Sequence, residues 1–183
     1  MLARVSDFLR LTLTAPVRDE VALADEVDYV RQYLEIERVR FGERLRTEFD
    51  LAPDVWEAAV PAFVLQPLIE NAVRHAIAPR ESGGAITLEA RRSGEMLQVS
   101  IVDDGPGVRD DPQGNGTGRI GLTNTRDRLR QLYGDRGRLQ LVSVPGGGTR
   151  ATIEIPFRRT VGDPAQHSVP RAAERTADEP VAI

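Results

Sequence analysis

Three glycine clusters at the junctions between predicted helices and strands constrain the fold more than any other feature of the chain. VDDGPGV (residues 102–108) follows a predicted strand, GNGTGRIGL (residues 114–122) opens a predicted helix, and GGGT (residues 146–149) opens the last predicted strand. Glycine accepts positive φ and lets a ligand approach the main chain closely, and amides at a helix N-terminus bind phosphate. One such cluster usually marks only a turn, but three together predict a site for a phosphate-bearing ligand.

The glycine clusters do not match the two most common nucleotide-binding signatures. A Walker loop needs a lysine after its glycines, and the chain contains no lysine. A dinucleotide-binding fingerprint follows a strand directly, whereas residues 114–122 follow a predicted loop. Any phosphate contact that lysine makes in other sites must therefore pass to arginine or histidine here.

The composition excludes several classes of protein. A net charge of −4 gives no field that would by itself attract nucleic acid or an anionic membrane. The absence of cysteine excludes a disulfide scaffold, a thiolate metal site and a cysteine nucleophile. No apolar run approaches the roughly 20 residues that a membrane-spanning helix needs. We therefore predict a globular domain without a nucleic-acid partner and without a membrane span in this chain.

Apolar periodicity divides the chain into three predicted regions. Residues 1–44 are predicted to be helical, residues 45–157 to form a mixed core of helices and strands, and residues 158–183 to form a disordered tail rich in Pro, Ala and charge. Two apolar runs in the first region keep helical spacing, namely Leu2, Val5, Leu9 and Leu13, and then Val27, Val30, Leu34 and Phe41. Asp25 and Glu26 lie in the first turn of the second helix, where the helix dipole favours negative charge.

The predicted core alternates between helices and strands. Helices are predicted at residues 65–77 and 122–133. The predicted strands, which show apolar alternation, are residues 85–91, 96–102, 138–144 and 150–157, with a weaker candidate at 46–51.

The helix at residues 65–77 combines an apolar face with an unusual polar one. The apolar side chains that can face a sheet are Leu65, Leu68, Ile69, Ala72 and Ala76. Asn71, Arg74 and His75 project together, because residues three and four apart share a face. An amide oxygen, a guanidinium and an imidazole on one ridge suit a magnesium–polyphosphate, since magnesium prefers oxygen ligands and shares them with substrate phosphates. A solvated polar face with a local hydrogen bond is the alternative.

These segments together resemble the four sequence boxes of the Bergerat-fold ATPases, which include gyrase, the heat-shock chaperone, histidine kinases and mismatch-repair ATPases. LIENAVRH resembles the N box, VDDGPG the first glycine box, GTGRIGL the second and GGGT the last. QPLIENA, NTRDRLRQLYG and the pattern from Leu23 to Phe41 are most similar to sensor histidine kinases of the LytS-like class. The resemblance covers residues 2–157. It implies an α+β fold, a two-layer sandwich in which a mixed, mostly antiparallel sheet carries helices on one face.

The resemblance implies that the chain binds Mg-ATP and assigns the roles of the adenine and metal contacts. Asn71 would bind the Mg²⁺ that bridges the phosphates. Asp103 would accept a hydrogen bond from the adenine amino group. Gly105 and Gly107 would let the backbone pass the adenine, and Thr149 would help to hold the adenine side.

Three further residues of the N box receive implied roles near the phosphates. Arg74 stands where many relatives have lysine, and His75 where they have histidine or an aromatic residue. Both would face the phosphates or the ribose. Glu70, directly before Asn71, would order the metal or a water molecule.

The second glycine box is implied to form the lid over the nucleotide. Gly118 and Gly121 would turn the lid into the following helix, with the amides up to Leu122 directed at the phosphates. Arg119 stands at a place that is usually glycine, and Pro67 at a place where many kinases carry another asparagine. Residues 108–119 contain few apolar groups, so we expect this lid to be mobile without a ligand.

The acceptor histidine of such kinases has no counterpart in the chain. The only histidines are His75, in the N box, and His167, in the predicted tail. The resemblance therefore predicts the catalytic domain of a histidine kinase that transfers the γ-phosphoryl group to a histidine on a dimerisation segment before Met1, with residues 1–44 as the end of that region. Its implied partners are that segment, a response regulator and, as a homodimer, a second copy; its implied compartment is the cytoplasm. A non-catalytic regulatory ATP-binding module and an anti-sigma serine kinase are the alternatives.

Overall fold

A computed structural model describes residues 20–108 and 117–160, without the side chains of residues 117–120. The strands are β1 (Glu20–Ala22), β2 (Leu45–Leu51), β3 (Ala59–Pro61), β4 (Gly84–Ser93), β5 (Met96–Asp103), β6 (Arg138–Ser143) and β7 (Thr149–Pro156). The helices are α1 (Leu23–Phe41), α2 (Gln66–Ala72) and α3 (Thr117–Tyr133). A π-helical turn (Val73–Ile77) extends α2, and short 3₁₀ turns (Gly42–Arg44 and Gly134–Arg136) follow α1 and α3.

Five strands form the main sheet in the order β2-β4-β5-β7-β6. Only the β2–β4 pair is parallel, and the other three pairs are antiparallel. β1 and β3 form a separate antiparallel pair. These strands and the helices packed on them confirm the predicted α+β fold with a mixed, mostly antiparallel sheet.

The apolar faces predicted from the sequence form the core between the helices and the sheet. The predicted members that are buried are Val27, Val30, Leu34 and Phe41 of α1, Leu65, Leu68, Ile69, Ala72 and Ala76 around α2, Leu97, Val99 and Ile101 of β5, and Ala151, Ile153 and Ile155 of β7. Each fully buried Val, Leu, Ile or Phe side chain stabilises the fold by about 1.5–3 kcal/mol. α1 therefore shares one core with α2 and the sheet.

Two helix predictions differ from the structure in detail. α3 begins at Thr117, five residues before the predicted start at residue 122, so the second glycine box forms its first turns. The segment predicted as one helix at 65–77 is α-helical only to Ala72 and then widens, since the amide of Ala78 bonds to the carbonyl of Val73 five residues back. Such π turns are rare and frequently lie at functional sites.

The folded part extends three residues past the predicted boundary at Phe157. The carbonyl of Arg158 accepts a hydrogen bond from Ala59 N at 2.7 Å, and Thr160 N donates to the carbonyl of Glu57 at 2.9 Å. The rest of the predicted tail lies outside the described residues, as does the predicted helical run at residues 2–13. No helix in the described ranges is long and apolar enough to cross a membrane.

Candidate functional site

Asp103 joins the first and last glycine clusters through one carboxylate oxygen. It ends β5, lies opposite Thr149 in the β5–β7 pair, and is 8% exposed. Its Oδ1 accepts hydrogen bonds from Gly105 N at 2.9 Å and from Thr149 N at 3.1 Å. Within residues 20–108 and 117–160, no group donates to its second oxygen, Oδ2. The carboxyl is therefore held in one orientation with one oxygen left for a donor.

Burial raises the pKa of Asp103 above its usual value. The amides of Gly105 and Thr149 oppose this rise, because they stabilise the ionised form, and Asp104 adds to it. His75 also lowers the pKa of Asp103, as the smallest of these effects.

Two glycines of the site stand where a side chain would collide with neighbouring atoms. A Cβ at Gly105 would lie 2.7 Å from the Cβ of Ala76, so glycine here lets the first glycine box pack directly against the π turn. A Cβ at Gly148 would lie 2.0 Å from the carbonyl oxygen of Asp103, and its φ of +105° also favours glycine. Gly107, with a φ of +84°, turns the chain after the first box.

The polar residues of the N box differ in their exposure. Asn71 is half-buried, whereas Arg74 and His75 are exposed. Glu70, which accepts a hydrogen bond from Gln66 Nε2 at 2.7 Å, and Arg74 lie close enough to Tyr33 of α1 to influence its pKa. Burial is the first cause of the raised pKa of Tyr33; Glu70 adds to the rise and Arg74 opposes it. The grouping of Arg74 with Asn71 and His75 on one ridge stays a prediction.

An ion-pair cluster that the sequence did not reveal holds the turn after β5. Asp104 pairs with Arg80 at 2.7 Å and with Arg46 at 3.4 Å. Arg80 Nη1 also donates to the carbonyl oxygen of Asp104 at 2.7 Å. Because these groups are partly exposed, each pair contributes at most about 1 kcal/mol, but together they fix the first glycine box to the start of β2 and to the segment after the π-helical turn. Two adjacent aspartates were the only signal in the sequence.

The two ends of the lid are attached to the described fold. Val108 N donates to Ser143 Oγ at 3.0 Å, which ties the start of the lid to the end of β6; Ser143 was not among the predicted site residues. Gly118 lies in the first turn of α3 and Leu122 is buried. A Cβ at Gly121 would lie 3.3 Å from the Cβ of Pro67, so glycine and proline let α3 and α2 approach closely. Residues 109–116, to which most of the lid prediction applies, lie outside the described residues.

The segment before α2 is held by charged groups from two other helices. Glu26 of α1 is 4% exposed and accepts hydrogen bonds from Phe63 N at 2.6 Å and from Leu65 N at 3.1 Å. Arg128 of α3 donates to the carbonyl oxygen of Ala62. From the sequence, Glu26 is predicted only as an acidic residue in the first turn of a helix, because helical spacing is a local property. Its burial and partners arise only when residues 37 and 39 positions away pack against it.

Glu26 makes the stability of the domain dependent on pH. Burial raises its pKa above 4.5, against the lowering effect of the Leu65, Phe63 and Val64 amides and of Arg128. The folded state then binds the proton more tightly than the unfolded state, so the contribution of this group is full below pH 4.5 and is lost as pH rises through the folded pKa. We expect the free energy of unfolding of the parent, relative to Glu26→Gln at the same pH, to fall as pH rises above 4.5. Chemical denaturation of both proteins at a series of pH values above 4.5 measures this difference in the free energy of unfolding. A difference that does not change with pH would contradict the raised pKa of Glu26.

Two family models match the chain. The model described as histidine kinase-, DNA gyrase B-, and HSP90-like ATPase matches residues 60–159, which include all four boxes. The model described as histidine kinase matches residues 1–45.

The chain is similar to sensor kinases from several bacteria. It is 34% identical to the sensor histidine kinase BtsS of Escherichia coli (strain K12) over 154 residues, which are 84% of this chain and 27% of BtsS. It is 36% identical to the sensor histidine kinase YesM of Bacillus subtilis (strain 168) over 145 residues, 79% of this chain and 25% of YesM. Identity to the sensor protein LytS of Enterococcus faecalis is 27% over 169 residues, 87% of this chain and 28% of LytS. The chain thus spans about a quarter of the length of these relatives.

Solved structures share the fold. The catalytic domain of histidine kinase ThkA matches with a TM-score of 0.59 and 19% identity, over 77% of this chain and 97% of that domain. The histidine kinase domain of the Erythrobacter litoralis EL346 blue-light activated histidine kinase matches with a TM-score of 0.57 and 22% identity, over 85% of this chain and 74% of that one. With the family model, the relatives and this fold in agreement, the chain belongs to the histidine kinase-, DNA gyrase B-, and HSP90-like ATPase family, as a catalytic domain of the sensor histidine kinase type.

Proposed function

We propose that the chain binds Mg-ATP and transfers the γ-phosphoryl group to a histidine on a dimerisation segment of a two-component sensor kinase. The observation that carries this proposal is the Asp103 carboxyl, with Oδ1 fixed by two backbone amides and Oδ2 without a donor from the described residues. An ionised carboxylate can only accept hydrogen bonds. The adenine amino group donates one, whereas guanine presents an oxygen at the same place.

Asn71 is our candidate magnesium ligand. It is half-buried on α2. Among residues 20–108 and 117–160 there is no group of three or more His, Asp or Glu side chains that could hold a metal ion by itself. A single amide oxygen fits a magnesium ion that arrives with the nucleotide phosphates and keeps several waters. When bound, the ion would neutralise charge on the phosphates.

The remaining N-box and lid residues would position the phosphates. The free amides of the first turn of α3, including that of Gly118, fit phosphate oxygens because a helix N-terminus favours anions. Gly121 is the fifth residue of α3, so its amide is used within the helix, and its part is the close approach of α3 to Pro67. We assign Arg74 and His75 to the phosphates or ribose and Glu70 to ordering the metal or a water. In the transfer step, a bond forms between the acceptor imidazole nitrogen and the γ-phosphorus. The bond between the γ-phosphorus and the bridging oxygen breaks, and that oxygen leaves with ADP. Positioning and charge stabilisation supply most of the catalysis of such a step.

The proposed reaction consumes ATP, and a response regulator would receive the phosphoryl group from the histidine afterwards, so we place the domain in the cytoplasm. The dimerisation segment can come from the same parent protein or from a second copy. A regulatory module would bind ATP in the same pocket and transfer nothing, and an anti-sigma serine kinase would label serine instead.

We expect no acid-labile phosphohistidine when the chain is incubated alone with γ-labelled Mg-ATP. His75 lies on the helix beside the nucleotide site, where it is poorly placed for the in-line approach that transfer requires. His167 lies in the predicted tail, without an element to orient it. Adding a dimerisation segment that carries the acceptor histidine should give labelling of that segment, measured by gel autoradiography before and after acid treatment.

The control for this experiment is the same segment with its acceptor histidine replaced by glutamine. Labelling of the isolated chain that His75→Gln or His167→Gln abolishes, with nucleotide binding intact, would contradict the proposal. Binding without transfer to any supplied acceptor favours the regulatory module, and acid-stable label on serine favours the anti-sigma kinase.

A further inference from the structure

The peptide bond between Asp104 and Gly105, in the first glycine box, is held from both of its sides. Its amide, Gly105 N, donates a hydrogen bond to Asp103 Oδ1 at 2.9 Å. Its carbonyl, Asp104 O, accepts a hydrogen bond from Arg80 Nη1 at 2.7 Å. A peptide unit is planar, so its carbonyl and its amide turn together. A rotation of this one plane would therefore break both contacts and release the carboxylate of Asp103.

The guanidinium of Arg80 reaches this peptide from the segment after the π-helical turn. The same Nη1 atom also donates to Asp104 Oδ1 at 2.7 Å and, more weakly, to the carbonyl oxygen of Ala76 at 3.5 Å. Ala76 lies in the π turn that extends the helix of Asn71. One guanidinium thus connects the N box to the turn that follows Asp103. Arg80 was not among the predicted site residues.

The backbone of Arg80 is itself fixed. Its amide donates to the carbonyl oxygen of Ile77 at 3.2 Å, and its carbonyl oxygen accepts from Gly83 N at 2.9 Å. The guanidinium of Arg44 donates to the same carbonyl oxygen. The side chain of Arg80 therefore starts from a defined point in the fold, unlike that of an arginine on a free loop.

The start of β4 leaves the space that the pair of Arg80 and Asp104 occupies. A Cβ at Gly84 would lie 2.4 Å from Asp104 Oδ1 and 3.1 Å from Arg80 Nη1, so glycine is needed there. Arg46 meets Asp104 differently, because its Nη2 approaches only Oδ2, at 3.4 Å, and its side chain is 64% exposed. Among the described residues, Arg80 is thus the arginine that bonds to the Asp104 carbonyl.

We propose that Arg80 is a positioning residue for adenine recognition: it fixes the plane of the peptide between residues 104 and 105, and that peptide holds Asp103 with Oδ2 left for the adenine amino group. The inference rests on the proposed function, since Arg80 acts only through the contact of Asp103 with adenine. Preorganisation of a binding group lowers the cost of ordering it when the ligand binds. The amide of Thr149 still holds Oδ1 when Arg80 is lost, so the effect on affinity is partial.

Calorimetry with Mg-ADP tests the role of Arg80 in the full chain. Arg80→Met keeps a long side chain but removes every donor, and we expect it to weaken binding about 5- to 10-fold. Arg80→Lys keeps a cationic donor and should bind within about threefold of the parent. Arg46→Met is the matched control, because it removes the same charge near Asp104 without a contact to the peptide, and it should bind within about twofold of the parent.

A double-mutant cycle shows whether Arg80 acts through Asp103. In the Asp103→Asn background, Arg80→Met should lower the affinity for Mg-ADP by less than about twofold, because the carboxylate that Arg80 positions is no longer present. General damage to the site would instead lower the affinity equally in both backgrounds. Arg80 is partly exposed, so the fold should survive, and circular dichroism checks this. Arg80→Gln, which is shorter and neutral, is a second variant with the same expected loss.

The outcomes separate this inference from the proposed function. Binding by Arg80→Met and Arg80→Gln that equals the parent's, an equal loss in Arg46→Met, or fully additive losses in the cycle would overturn the role of Arg80 alone. A parent that binds no Mg-ADP, or an Asp103→Asn variant that binds as the parent does, would overturn the proposed function and this inference with it.

Discussion

Asp103→Asn should lower the affinity for Mg-ATP about 10- to 100-fold. The amide oxygen of the variant can still accept the two backbone hydrogen bonds that now reach Oδ1 of Asp103. Its NH₂ group then takes the place of Oδ2 and meets the adenine amino group, donor against donor. An unsatisfied buried polar group costs about 1–3 kcal/mol, and each 1.4 kcal/mol is a tenfold change in affinity. Calorimetry with Mg-ADP and Mg-ATP measures the loss.

Two controls separate adenine recognition from a general defect. Asp50→Asn changes an exposed aspartate of β2 that pairs with Arg91; β2 does not border β5, and this variant should bind as the parent does. The parent should bind GTP more weakly than ATP, since the guanine oxygen and the Asp103 carboxylate are both hydrogen-bond acceptors and would face each other. Because burial raises the pKa of Asp103, its affinity for ATP should fall as the pH is lowered toward that pKa, while the affinity of Asp103→Asn should show no such titration. Equal binding of GTP and ATP by the parent would refute the assignment.

Asn71→Ala and Asn71→Asp should each lower phosphoryl transfer to a supplied acceptor about a hundredfold. The alanine removes the proposed oxygen ligand, and the aspartate adds a negative charge facing the phosphates. Misplacement of the reacting group by about 1 Å is enough for a loss of this size. Asn71 is only half-buried and lies outside the apolar core, so the melting temperature should stay close to that of the parent.

The measurement for Asn71 is a titration of transfer and of nucleotide affinity with magnesium. In both variants the magnesium concentration at half-maximal effect should rise. Gln131→Ala, which removes an exposed amide from α3, is the matched control and should behave as the parent. An unchanged magnesium dependence in either Asn71 variant, with intact fold, would remove Asn71 from the metal site.

The sequence alone predicted the elements and the chemistry of the boxes. Periodicity is a local property, so the buried positions Leu68 and Ile69 of α2, and Leu97 and Val99 of β5, could be read directly from spacing. The sequence boxes are also local patterns. Their glycines, at fixed separations from the aspartate, indicate where the backbone turns or is approached closely. The limits of the strands therefore differ from the predicted ones by at most two residues at either end.

Only the tertiary structure decided which groups meet. Glu26 is buried against amides 37 and 39 residues away, and Asp103 bonds to an amide 46 residues away. No local pattern encodes such distances, since they depend on how helices and strands pack. The three-residue strands β1 and β3 are too short to show alternation, and the close approach of Ala76 in the π turn to Gly105 joins segments that are distant in the sequence. Spacing thus determined which faces are apolar, while packing determined which polar atoms are buried, which are paired and which remain open to a ligand.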